Sequence, residues 1–154
     1  MNYTLVEHLD AVELFMSKAK QPVSRKLRVP SPEERILRAK LIYEESMETI
    51  SALGVDYCLG KFVDAGEDHY NPQEVLDGAC DIAVVTNGTL IACGLYTVFP
   101  NALSRVDQNN LSKFGPGSYL RDDGKVMKPP NYKPVILDDL VESVRESAGE
   151  SVGE

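Results

Sequence analysis

The chain has 154 residues, 24 acidic against 16 basic side chains, a net charge of −8 and a pI near 4.8. That length makes one domain, expected over residues 1–147 and large enough to bury a core without disulfides or a structural metal. The acidic balance excludes a nucleic-acid backbone as partner, since each phosphate contact needs a cation, and an anionic ligand would need a metal escort or a local basic patch.

Leu5, Leu9, Val12 and Met16 follow helical spacing, and Thr4 with Glu7 forms a capping box, so the first helix starts there. Lys20 to Pro30, KQPVSRKLRVP, holds two prolines and a basic cluster and reads as an extended connection. SPEE then opens a second helix, with Ser31 as N-cap, Pro32 at the first helical position and Glu34 as the capping acid. Its stripe passes through Leu37 and Leu41, and it runs to about Leu53, with Gly54 as its stop. Between Val55 and Tyr70 a small hairpin, a helical turn and a mobile loop all fit the pattern.

The start signal recurs at NPQE, with Asn71 as cap and Glu74 as capping acid, before an apolar run to about Leu95. This third helix is expected to be the most buried. Its stretch Ala79 to Phe99 approaches membrane-spanning length, but Asp81 and the cluster Thr86, Asn87, Gly88, Thr89 favour a buried helix and no membrane. Leu103, Val106 and Leu111 share one face of a shorter helix that ends near Gly115. A Gly/Pro-rich basic loop follows, then a last amphipathic helix through Leu137, Leu140, Val141 and Val144, and a frayed tail over 148–154. Long helices without a sheet pattern imply an all-α bundle of four to five helices. The unpaired spacing of Cys58, Cys80 and Cys93, with no export signal, suggests reduced core thiols and a cytoplasmic protein.

The chemistry concentrates in acids. Glu44, Glu45 and Glu48 fall within one turn of the second helix, where like charges repel, and only Glu44 has a local partner, Lys40. Asp77 and Asp81 follow Glu74 at helical spacing on the third helix, and Asp81 interrupts the apolar run. An unpaired carboxylate there is costly unless it protonates or meets a cation. An oxygen-only donor set on two helices suits Mg²⁺ or Mn²⁺, and the absence of Glu-x-x-His pairs sets aside a di-iron bundle. Lys113, Arg121, Lys125 and Lys128 lie among glycines and prolines as candidates for phosphate oxygens, although Asp122 and Asp123 interleave with them and no Walker pattern is present.

The second-helix motif Glu44-Glu45-Ser46-Met47-Glu48, with the stretches PVSRKLRVPSPEERILRAKLIYEE, DIAVVTNGTLIACGL and NLSKFGPGSYLRDDGKVMKP, resembles the MazG-like all-α nucleoside triphosphate pyrophosphohydrolase superfamily over most of the chain. That superfamily is related to phosphoribosyl-ATP pyrophosphohydrolase and the helical dUTPases, and carries EExxE on one helix and ExxD on the next. The second motif departs here. With Asp81 as the family aspartate, Gly78 stands where a glutamate belongs and Asp77 must substitute; alternatively Glu74 and Asp77 form a literal ExxD one turn earlier.

The resemblance implies hydrolysis of a (d)NTP to (d)NMP and pyrophosphate, in house-cleaning of the nucleotide pool. It implies Mg²⁺, or Mn²⁺, on Glu44, Glu45, Glu48, Asp77 and Asp81, and a water deprotonated with help from Glu45. Lys113, Arg121, Lys125 and Lys128 would hold phosphates, with Asn110 on the nucleotide, in a homodimer or homotetramer whose half-sites are shared between chains. The competing readings are a non-catalytic helical scaffold or regulator and a phosphoribosyl-ATP pyrophosphohydrolase.

Overall fold

The computed structural model describes residues 3–145; the tail expected over 148–154 lies outside them. Five α-helices form the described chain: α1 (Leu5–Lys18), α2 (Pro32–Ala52), α3 (Pro72–Cys93), α4 (Phe99–Leu111) and α5 (Asp138–Ser143). Two antiparallel ribbons join them, β1 (Val55–Cys58) with β2 (Lys61–Asp64), and β3 (Tyr119–Leu120) with β4 (Val126–Met127). The fold is broadly helical, and the ribbons correct the all-α expectation. Their strands show no alternation because β2 is exposed at every position and β1 at all but one, so no buried face imprints a period of two.

The helix starts follow the expected chemistry. Thr4 and Glu7 close one capping box, and Ser31 and Glu34 close another. At α3 the Asn71 side chain accepts from the amides of Gln73 and Glu74, at 3.1 and 3.3 Å, and Glu74 does not reciprocate, so it is not a capping acid.

α1 packs on the C-terminal half of α3, where Leu9, Val12 and Met16 meet Ile91, Ala92 and Tyr96 in the apolar core. α3 has the most buried residues of the helices, as expected; it is also long and apolar enough to cross a membrane, with a mean hydropathy of 1.4. The cysteines do not join that core. Cys58 and Cys80 are exposed and Cys93 is half-buried, because β1 is wet and Cys80 precedes the part of α3 that α1 covers.

The connection over 20–30 is extended and crosses the C-terminal end of α3. Ser24 and Arg28 amides donate to the carbonyls of Ile91 and Cys93, and the Arg28 guanidinium donates to the Ala92 carbonyl, satisfying groups that a helix end leaves without partners. Gly94, at φ 75°, permits this approach: a Cβ there would collide with the Lys26 carbonyl. α2 and α3 then run antiparallel, joined by the β1–β2 arm. Its neck is closed by the Leu53–Tyr70 bridge and by bonds from Asn71 N to Ala52 O and from Ala65 N to Gly54 O.

Candidate active site

α2 and α3 approach each other closely at Thr49 and Gly78. A Cβ at 78 would lie inside contact distance of the Thr49 hydroxyl, which itself donates to the Glu45 carbonyl at 2.7 Å. Ten residues further along α3, Gly88 lies against the Arg38 guanidinium. This antiparallel register carries the acids on α2 towards those on α3. Glu45 and Asp81 are both half-buried and line one cavity of about 290 Å³ in the seam.

Burial pushes the Glu45 carboxyl above its ordinary value of 4.5, and the charges of Asp81, Glu48, Glu44 and Asp77, in that order, push it the same way. Each of the five expected metal-ligating acids therefore belongs to one electrostatic group centred on Glu45. None of them joins an ion pair with a described residue, and the expected Lys40–Glu44 pair does not form.

Glu44, Glu48 and Asp77 are exposed and lie outside the cavity that Glu45 and Asp81 share. Glu48 and Glu74 line a second hollow with His69, at the neck of the β1–β2 arm, and Asp77 shares a third with Glu74 and Cys80. Among the described residues no three Asp, Glu, His or Cys side chains converge as a preformed metal cage. Like charges close together repel unless a cation lies between them. The oxygen-only donors around Glu45 fit a hard divalent cation.

The basic segment is not part of this seam within one chain; its principal contacts are with α4 and with itself. Lys113 Nζ donates to Asn110 Oδ1 at 2.6 Å, Arg121 is ion-paired with Asp123, and Lys128 Nζ lies 4.6 Å from the Tyr132 ring centroid. Lys125 donates its backbone amide to Asp123 at 3.2 Å. The expected loop is in fact organised by the β3–β4 ribbon across the Arg121–Lys125 turn.

Two polar residues of the seam escape sequence reasoning. Arg38 is 7% exposed, whereas Leu37, expected in the buried stripe, is 44% exposed. Gln21 closes the α1 C-terminus: its amide donates to the Met16 carbonyl at 2.9 Å while Lys20 turns through φ 56°, and its side chain reaches Arg38. The signal for Arg38 was its spacing of seven from Glu45, which puts both on one face.

A scan against protein-family models finds no match to the chain, and no characterised protein matches it.

Proposed function

We propose that this chain is a MazG-like nucleoside triphosphate pyrophosphohydrolase, converting a (d)NTP to its monophosphate and pyrophosphate. The observation that carries the reading is the juxtaposition of Glu45 and Asp81 across α2 and α3, in a seam where burial and three further carboxylates raise the Glu45 pKa. Glu44, Glu45, Glu48, Asp77 and Asp81 would hold Mg²⁺, or Mn²⁺. When bound, the cation supplies charge neutralisation and polarisation of phosphoryl oxygens.

The contact at Gly78 leaves a side chain at 78 no space against Thr49, so in the register that uses Asp81 the second carboxylate would have to come from Asp77, one position earlier. Glu74 lines the hollows beside the arm's neck and not the cavity of Glu45 and Asp81, and the proposed ligand set leaves it out. Glu45, its pKa moved towards neutrality, takes a proton from the attacking water as the phosphoanhydride bond between the α and β phosphorus atoms breaks.

Lys113, Arg121, Lys125 and Lys128 hold the departing phosphates in this reading, with Asn110 on the nucleotide. Their segment packs on α4 of its own chain, so the reading has them meet the seam of a second copy in a homodimer or homotetramer. Ile36, Leu37 and Tyr43 of α2 and Leu76 of α3 are exposed apolar side chains available for that assembly.

Pyrophosphate release from a panel of canonical, deoxy and modified triphosphates and phosphoribosyl-ATP tests the proposal. Turnover should require Mg²⁺ or Mn²⁺ and disappear in Glu48→Ala and Asp81→Ala. The second reading, a non-catalytic scaffold or regulator, draws on the local pairing of Arg121 with Asp123 and Lys113 with Asn110. It predicts no turnover across the panel and a melting temperature unmoved by chelator.

A further inference from the structure

Arg38 and Gln21 both line the seam cavity. Arg38 Nη2 donates to Gln21 Oε1 at 2.8 Å, and no other side-chain hydrogen bond from Arg38 reaches a described residue. A guanidinium only donates, so the Gln21 amide oxygen faces it and the amide NH₂ is left for another acceptor. Around these donors stand Val12, Met16, Leu41, Val84 and Val85, with Glu45 and Asp81. Gly88 lets Arg38 and Met16 pack directly on α3, since a Cβ there would meet Arg38 Nη1 at 3.1 Å and Met16 Sδ at 3.3 Å.

A phosphate would have to shed its water against aliphatic walls to enter. A flat heteroaromatic ring loses little, since its faces are apolar and only its edge needs partners. The volume of about 290 Å³ stands at the lower end of small-molecule sites and suits a base rather than a whole nucleotide.

We propose that this cavity is the nucleobase subsite of the triphosphate site, an inference that rests on the hydrolase reading, and that Gln21 and Arg38 select oxo bases, namely uracil, thymine or guanine, over adenine. Guanine offers O6 and N7, and uracil and thymine offer O4, as acceptors to the donor pair. Adenine shares N7 with guanine but presents an amine in place of O6, and a guanidinium has no acceptor for that amine.

Two measurements on the full chain separate this inference from the reading beneath it. The first is kcat/KM for dUTP, dTTP and dGTP against dATP with Mg²⁺. The second is saturation-transfer NMR with the free nucleosides thymidine, deoxyguanosine and deoxyadenosine, which needs no turnover. Oxo bases should be preferred by roughly 10- to 100-fold in kcat/KM, and Gln21→Glu, whose carboxylate pairs with Arg38 and removes the amide donors, should bring the bases within about threefold of one another. Gln21 is only half-buried, so this variant is expected to keep the wild-type melting temperature; Arg38→Met gives the same loss where it folds. Equal or better use of dATP, or a preference unchanged in Gln21→Glu, overturns the subsite. Selective nucleoside binding without any triphosphate turnover would retain the cavity assignment and remove the hydrolase.

Discussion

Glu45 faces two demands at the residue scale: its neighbours' negative charge and partial burial favour its protonated form, whereas cation binding needs the carboxylate. Its pKa is raised, so the folded chain holds this proton more tightly than the unfolded chain. Its contribution to stability is therefore lost as pH rises from about the ordinary 4.5 through the raised value. In chelator, thermal melting should show the wild type losing stability relative to Glu45→Gln across that window, and Mg²⁺ should narrow the loss by replacing the proton. Parallel pH profiles for the two proteins would remove the charge cluster from the account. The same substitution should lower kcat by about 10²–10⁴-fold in the pyrophosphate assay, if Glu45 takes the proton of water.

Lys20 poses a different residue-scale question, because it ends α1 at φ 56°, a conformation that crowds its Cβ. The bonds from Lys20 N to Ser17 O and Gln21 N to Met16 O define a Schellman closure, whose left-handed position favours glycine. Lys20→Gly should raise stability in urea by up to about 1 kcal/mol while leaving Gln21 in place. That turn was invisible in the sequence, where the lysine belonged to a basic run. Gln21 went unnoticed for the same reason, since nothing local reveals that a closure after α1 aims it at α2.

Among the elements, helix starts were legible and strands were not. Thr4, Ser31 and Asn71 act within three residues of themselves, so their sequence signals survive any tertiary arrangement. The β1–β2 ribbon lacks a buried face and turns through Leu59 and Gly60 at φ 51° and 76°, a type I′ geometry that usually begins with asparagine. Leu59→Asn should stabilise the protein by about 0.5–1 kcal/mol in denaturant titration; a loss would mean that the 96% exposed leucine side chain contributes more than its turn costs. Gly94 lies at the other extreme. Gly94→Ala must break the left-handed turn and displace the connection from the end of α3, so a loss of several kcal/mol, or failure to fold, is the expected result.

In the whole molecule, the acids were readable because charge within an apolar helix is conspicuous, and their grouping about Glu45 follows from α2 and α3 packing antiparallel. The separation of the basic segment was not readable. It depends on α4 leaving the end of α3 opposite to Asp77, a topological fact with no local signature. If the functional unit is an assembly that reunites them, sedimentation equilibrium should give a dimer or tetramer, and mixing Asp81→Ala with Lys125→Ala protein should restore part of the activity that each lacks alone. A monomer with full turnover would contradict shared half-sites.

The closed neck at Leu53 and Tyr70 makes the β1–β2 arm an appendage whose tip is geometrically independent of the helices beneath it. Its outer turn is thus a natural port for engineering. A short epitope or a reporter domain spliced between Leu59 and Gly60 would ride clear of the molecule, giving a handle for surface immobilisation with the wild-type melting profile retained.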